Sequence, residues 1–283
     1  MLYFKEELKL DYSKLGIEPK GQPVYLKCYI KDPGNNIEIN CADKKENTIL
    51  IFPGGGYRGL SNRESEPIAL QFLAAGYTVF VLDYSVSPAV FPRALFEAYT
   101  AISTIRKNAD KWAVDVNKIA VCGFSAGGHL AASTGAFWDR DFVRNAGFTT
   151  DDHKPDALVL CYPVITGGAK RHAGSFKRLL GKEEPDVNEL KFQSIERQVS
   201  QTFPRSFIWH TFEDEGVPVE NSLLLANALA EQKIKFEMHI YPEGGHGLAL
   251  SSSLTSRPEK QPPEKPQAWV KDCIKFLNEN AFN

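Results

Sequence analysis

No run of about 18 apolar residues occurs anywhere in the sequence, so no membrane-spanning helix is expected. Cysteine is scarce. Cys28, Cys41, Cys122, Cys161 and Cys273 are odd in number and include no close pair, which argues against a disulfide framework and against a zinc site. Cys28, Cys122 and Cys161 lie inside apolar runs and read as buried free thiols in a reducing, cytoplasmic compartment. An excess of one charge is also missing. Lys and Arg number 33 against 35 Asp and Glu, a net charge of -2, which leaves no basic footprint for nucleic acid. The stretch Met1 to Asp11 carries Lys5, Glu6, Glu7, Lys9 and Asp11 with no apolar segment after it, so no cleaved leader is expected. No internal repeat is visible.

What is present is an ordinary globular composition, 43% hydrophobic and 24% charged over 283 residues. A chain of this length can remove roughly three quarters of its unfolded surface from water. Because α/β folds often run to ~250 residues as one unit, a single domain over 1–283 is expected. Apolar, β-branched runs recur at 48–52, 77–82, 118–122, 157–161, 206–209 and 236–240. Runs without alternation suit strands buried on both faces, as in a parallel sheet between helices. Between them, Phe91, Leu95, Ala98, Ile102 and Ile105 mark one helical face, and Trp269, Val270, Cys273, Ile274 and Leu277 mark another. Residues 222–232 are Leu/Ala-rich, with good helix propensity. The alternating order predicts a doubly wound α/β fold. Val24–Ile30 alternates and leads to the turn signal Asp32-Pro33-Gly34, which predicts an antiparallel N-terminal edge.

Two segments break the rhythm. Val164 to Pro204 joins two strands, is longer than a usual connection, and is expected to act as a lid or substrate-pocket insertion. Ser251 to Gln267, rich in Ser, Pro, Lys and Glu, reads as a solvated loop.

Gly123-Phe124-Ser125-Ala126-Gly127 follows a strand and opens a helix. This is the context of a nucleophile elbow, where a sharp turn lifts the serine hydroxyl above the sheet. A serine nucleophile needs a base, and the base needs an orienting carboxylate. Of six histidines, His246 in Gly244-Gly245-His246-Gly247 is the candidate base, on a glycine-flanked loop just after a strand. His129 lies too close in sequence to face back, His210 ends a strand as a supporting or packing residue, and His153, His172 and His239 lack a supporting context. Between Ser125 and His246, three acids compete: Glu213, Asp214 and Glu215. The glycine run Gly54-Gly55-Gly56 after an early strand suits an oxyanion hole of backbone N–H groups. Tyr57, Arg58 and Tyr84 are expected to line the same mouth as substrate-binding residues. The blander alternative makes both tyrosines packing residues and pairs Arg58 with Glu64 or Glu66.

A rival reading takes Gly54-Gly55-Gly56-Tyr57-Arg58-Gly59 as a G-x-G-x-x-G dinucleotide loop, with Asp83 as the ribose acid. Against it, the following helix begins only near Pro67, so the third glycine does not open a helix. That reading also leaves Ser125, Asp214 and His246 without a role.

Pro53 to Tyr57, Gly123 to Ala132, Tyr162-Pro163, the Asp214 to Pro218 stretch and Gly244 to Gly247 together resemble the bacterial esterase/lipase families of the α/β-hydrolase superfamily. The nearest branch is the acetyl xylan esterase-like carboxylesterases. The resemblance covers about Ile49 to Leu277. It implies Ser125 as nucleophile, Asp214 as acid and His246 as base, with the N–H groups of Gly55, Gly56 and Ala126 as oxyanion donors. Two departures stand out. Pro53 occupies the place of a histidine found in related lipases, as in the acetyl esterase-like branch, and Glu97 replaces an Asp in a structural role. The implied activity is hydrolysis of short-chain acyl esters through an acyl-enzyme, with O-acetyl groups of carbohydrates as candidate substrates. No cofactor and no metal are expected, and no partner other than a small ester or acetylated oligosaccharide. Alternatives are a serine peptidase of the same fold, the nicotinamide-dependent oxidoreductase above, and a non-catalytic binding protein on a hydrolase fold.

Overall fold

The computed structural model describes residues 1–13, 15–17, 23–31, 45–256 and 262–282. Its eight strands are β1 (Leu2–Glu7), β2 (Tyr25–Ile30), β3 (Glu46–Phe52), β4 (Thr78–Asp83), β5 (Val114–Phe124), β6 (Ala157–Cys161), β7 (Arg205–Thr211) and β8 (Phe236–Tyr241). They form one sheet in the order β1-β2-β4-β3-β5-β6-β7-β8. β1 and β2 pair antiparallel with each other, and β2 pairs antiparallel with β4; the remaining pairs are parallel. The helices are α1 (Glu66–Ala74), α2 (Arg93–Lys107), α3 (Ala109–Trp112), α4 (Ala126–Phe137), α5 (Asp141–Asn145), α6 (Ala173–Leu180), α7 (Val187–Phe192), α8 (Glu220–Glu231) and α9 (Trp269–Phe276).

The central strands are apolar on both faces because both faces are covered. Leu50, Phe52, Phe80, Leu82, Val121, Leu158 and Ile208 pack with Leu95, Ala98 and Ile102 of α2, Leu130 of α4 and Leu225 of α8. Their sequence neighbours Ile49, Ile51, Val79, Val81, Cys122, Val159 and Phe207 point the other way, onto Ile68 and Phe72 of α1 and Trp269, Cys273 and Phe276 of α9. Period-2 side-chain alternation thus divides one set of apolar runs between two cores.

The doubly wound sheet and its antiparallel N-terminal edge match the expectation. Sequence reasoning did not find β1. Its side chains are exposed or half-buried, so an edge strand tolerates Lys5, Glu6 and Glu7 and carries little apolar signal. The turn at Asp32-Pro33-Gly34, Cys41, and residues 257–261 of the Ser251–Gln267 loop lie outside the described residues. The other four cysteines are buried free thiols, and burial pushes the Cys28 thiol up to about 12. Among the described residues, no helix is long and apolar enough to cross a membrane.

Candidate active site

β5 ends at Phe124 and α4 begins at Ala126, with Ser125 alone at the junction in a left-handed conformation, φ 54° and ψ -118°. A non-glycine residue held there is strained, and such strain persists only where its surroundings enforce it. Ser125 N–H donates to the Cys161 carbonyl at 3.0 Å, and the Ser125 carbonyl accepts from Val164 N–H at 3.0 Å. Gly127 lets α4 press on the end of β3: a Cβ there would stand 2.2 Å from the Phe52 carbonyl oxygen.

Ser125 Oγ lies 2.7 Å from His246 Nε2, and His246 Nδ1 lies 2.7 Å from Asp214 Oδ2. The three side chains come from the ends of β5, β7 and β8, brought to one edge by parallel pairing. Asp214 Oδ1 accepts from the backbone N–H groups of Gly216 (2.9 Å) and Val217 (2.8 Å). Burial pushes the Asp214 carboxyl up, but hydrogen bonds from His210 and His246, together with the Val217 N–H, outweigh it and hold it well below the usual range. A carboxylate at this position makes His246 Nδ1 the protonated nitrogen and leaves Nε2 to accept from Ser125. A hydroxyl so placed can give up its proton as it attacks an electrophilic carbon. Of the competing acids, Glu213 is exposed and accepts from Gly244 N–H at 3.0 Å, and Glu215 is exposed. His210 is fully buried. Its Nε2 faces the Val217 carbonyl at 2.9 Å and Asp214 Oδ2 at 3.2 Å, and its Nδ1 faces Ser222 Oγ at 2.8 Å.

Beside Ser125, the turn after β3 carries Gly55 at φ 134° and Gly56 at φ 63°. No side chain fits at Gly55, where a Cβ would stand 2.0 Å from the Gly59 carbonyl oxygen. Among the described residues, the N–H groups of Gly55, Gly56 and Ala126 donate no hydrogen bond within the chain. Gly54 N–H, by contrast, is taken by Glu64. Unpaired amides beside a nucleophile suit a developing oxyanion.

The expected mouth residues divide. Tyr57 is 3% exposed with its hydroxyl on His129 Nδ1 (3.0 Å), and Tyr84 is 2% exposed and donates to the Pro53 carbonyl (2.6 Å). Both are packing residues behind the turn, which corrects the expectation that they line an open mouth. Each follows a strand at the functional edge, but a position in sequence does not give the direction of the ring. Arg58 is exposed and forms no ion pair among the described residues. Neither carboxylate proposed as its partner is turned to it: Glu64 accepts from Gly54 N–H and Tyr162, and Glu66 from Tyr29. Glu97 is buried and accepts from the Ser85 N–H (2.7 Å) and hydroxyl (2.6 Å), a structural tie between the end of β4 and α2.

The insertion 164–204, which contains α6 and α7, is tied to this edge. Arg178 Nη1 donates to the Gly56 carbonyl at 3.1 Å, and His129 Nε2 meets the Gln193 carbonyl at 2.9 Å. His172, which caps α6, lies against Gly56: its Cε1 is 3.7 Å from where a Gly56 Cβ would be, and its Nδ1 is 2.7 Å from Ser175 Oγ. Burial, then the nearby His246 and Arg178, lower its pKa. Sequence reasoning gives His172 no supporting context and Glu64 only a pairing with Arg58, since neither sits in a motif or on a strand end.

Burial lowers His129 to about 4, against the opposing pull of the Gln193 carbonyl. The unfolded chain therefore binds a proton that the folded one refuses between about 6.5 and about 4. Stability from this site is present above that window and is lost as pH falls through it. His129→Gln should flatten the fall in unfolding free energy between pH 7 and pH 4.5, measured by urea melts. An unchanged slope would count against the assignment.

The dinucleotide alternative fits poorly. α1 begins at Glu66, seven residues past Gly59, and Asp83 is held by Lys27 at 2.7 Å. Among the described residues, no cluster of three or more His, Cys, Asp or Glu could hold a metal ion.

The sequence pattern of the BD-FAE family matches residues 37–229. Endo-1,4-beta-xylanase B of Butyrivibrio fibrisolvens is 40% identical over 214 residues, covering 74% of this chain and 34% of that protein. Acetylxylan esterase of Xylanibacter ruminicola is 27% identical over 211 residues, covering 72% of this chain and 41% of that protein. The chain thus spans well under half the length of these two relatives. Among solved structures, an acetyl ester-xyloside bifunctional hydrolase from Caldicellulosiruptor lactoaceticus superposes with a TM-score of 0.82 at 35% identity, covering 99% of this chain and 97% of that one.

Proposed function

The chain belongs to the BD-FAE family, in the esterase branch of the α/β-hydrolase superfamily, and on that premise we propose that it is a serine carboxylic-ester hydrolase for short-chain acyl esters, O-acetyl groups of carbohydrates among them. The observation that carries this reading is the continuous chain from Ser125 through His246 to Asp214, with both contacts at 2.7 Å, set beside three unpaired backbone N–H groups.

In this reading Ser125 Oγ attacks the ester carbonyl carbon while its proton passes to His246 Nε2. The carbonyl oxygen gains the negative charge and is held by the N–H groups of Gly55, Gly56 and Ala126. His246 then gives the proton to the departing alkoxide, and the alcohol leaves an acyl group on Ser125. A water loses its proton to the same nitrogen, attacks the acyl carbon, and releases the acid as Ser125 regains its proton. Asp214 keeps Nδ1 protonated throughout and stabilises the imidazolium.

The names of the relatives, xylan and acetyl ester hydrolases, support acetylated sugars as substrates. A polar rim supports the same choice, with His172, Arg178 and the exposed Arg58 around the glycine turn. The insertion 164–204 serves here as a cap that shapes the pocket. The buried thiols support a reducing, cytoplasmic setting.

Acetyl esters should therefore be preferred. Against this polar rim an added methylene gains little of the ~0.8 kcal/mol that apolar burial returns, so kcat/KM for p-nitrophenyl esters should fall from acetyl through butyryl to octanoyl. Steady-state rates on the three esters, with acetylated xylo-oligosaccharides alongside, test the proposal. A rate that climbs to octanoyl would replace the short-acyl reading with a lipase-like pocket.

A further inference from the structure

Glu64 is a buried carboxylate, 3% exposed, to which the reaction just described gives no part. It ends a 3-10 turn, Asn62–Glu64, that lies against the glycine turn: Ser61 N–H donates to the Gly54 carbonyl at 2.9 Å, and Gly54 N–H donates to Glu64 Oε2 at 2.9 Å. The carboxylate is close to the nucleophile as well. A Cβ on Gly54 would stand 2.7 Å from Glu64 Oε2 and 3.0 Å from the Cβ of Ser125. The other oxygen, Oε1, accepts from the Tyr162 hydroxyl at 2.7 Å. That hydroxyl in turn accepts from Ala249 N–H at 2.9 Å, three residues beyond His246. The Tyr162 ring also packs edge-on against the His246 imidazole, with centroids 5.3 Å apart. Ala249 is itself left-handed, φ 54°, and its carbonyl accepts from Trp269 Nε1 at 2.9 Å, so the loop after His246 is held in a strained shape from both sides.

We infer that Glu64 is a positioning residue that locks the oxyanion turn to the His246 loop through Tyr162, fixing the distance between the groups that stabilise the oxyanion and the group that moves the proton. This rests on Ser125 being the nucleophile of an ester hydrolase. Three segments far apart in sequence, at Gly54, Tyr162 and Ala249, meet through one carboxylate and one phenol. Every donor in the bridge has an acceptor and each carboxylate oxygen receives one donor, a complete buried network of the kind that fixes a geometry. Burial, then the charge of Glu64, raise the Tyr162 pKa well above its ordinary value, so the phenol keeps the proton it donates.

The bridge has no room for an amide. In Glu64→Gln the NH2 group must face either Gly54 N–H or the Tyr162 hydroxyl. The first places donor against donor. The second leaves the phenol proton without an acceptor, because the phenol would then accept from both the amide and Ala249 N–H. Tyr162→Phe is the gentler variant: it keeps the ring against His246 and the Glu64 bond to Gly54, and removes only the hydroxyl.

The test compares Glu64→Gln, Tyr162→Phe and the double variant by kcat and KM on p-nitrophenyl acetate, each normalised to the Ser125 sites that a fluorophosphonate titrates. A misplacement of about 1 Å costs on the order of 10²-fold in rate. The expected result is a fall in kcat per titrated site of roughly 10–100-fold in each single variant, with KM little changed and the double variant no worse than the worse single. A purely structural role would lower the melting temperature and the titratable fraction but leave kcat per titrated site intact. If Glu64→Gln does not fold, Tyr162→Phe decides alone. Wild-type labelling at Ser125 with an undiminished kcat in Tyr162→Phe, or additive losses in the double variant, overturns this inference alone. Failure of Ser125 to label in the wild type overturns the esterase reading and this inference with it.

Discussion

Ser125→Ala should lower kcat/KM for p-nitrophenyl acetate by roughly 10⁴–10⁶-fold, the scale of loss when a serine nucleophile is removed and only oxyanion stabilisation and binding remain. The melting temperature should stay close to that of the wild type. Among the described residues, the Oγ atom bonds only His246, which is partly solvated, so its removal leaves no buried polar group stranded there. The backbone ties at this position, from Ser125 N–H to Cys161 and from Val164 N–H to Ser125, do not involve the side chain. Kinetics and thermal melts on the same preparation give the answer. A loss of less than tenfold, with the fold intact, would move the nucleophile elsewhere.

Asp214→Asn should cost about 10³–10⁴-fold in kcat, and the hydrogen bonds around Asp214 explain the size of the loss. Oδ1 receives two backbone N–H groups, from Gly216 and Val217, so the oxygen of an asparagine must take that side. Its NH2 then occupies the Oδ2 position and faces His246 Nδ1 and His210 Nε2. Facing a donor, His246 gives up the proton on Nδ1 and carries it on Nε2. The nitrogen turned to Ser125 then offers a proton where the reaction needs a base. Glu213→Gln and Glu215→Gln, on exposed side chains that make no hydrogen bond to His246 among the described residues, should change kcat by less than tenfold. A severe loss in Glu215→Gln with a mild one in Asp214→Asn would mean that the acid was assigned to the wrong residue.

The central sheet was legible in the sequence because strands buried on both faces must be apolar throughout, and Ala157–Cys161 was bounded to the residue. β1 was not, because an edge strand with charged, half-exposed side chains lacks that pattern. Within the site, Ser125 and His246 announce themselves through the glycines that their tight turns require. Asp214 was one of three neighbouring acids when read from residue type alone, and only the family resemblance separated it from Glu213 and Glu215. The structure turns its carboxylate, and neither of theirs, to His246. Tyr57 and Tyr84 were placed at the correct edge but on the wrong side of the turn, since chain position fixes a Cα and not a ring. Glu64 bonds partners distant in the chain, His210 bonds Ser222 and the Val217 carbonyl, and His172 bonds only nearby Ser175 among the described residues but lies against the distant Gly56. Glu64 and Tyr162, 98 residues apart, meet only once the sheet is assembled.

The most direct test of Ser125 as the nucleophile is covalent. The wild-type protein is treated with a fluorophosphonate, its residual esterase activity is followed, and the adduct is located by peptide mass spectrometry. One equivalent on the peptide containing Ser125, with activity falling in proportion to labelling and no adduct in Ser125→Ala, is the expected result. An adduct on another residue, or full activity at full labelling, would contradict it.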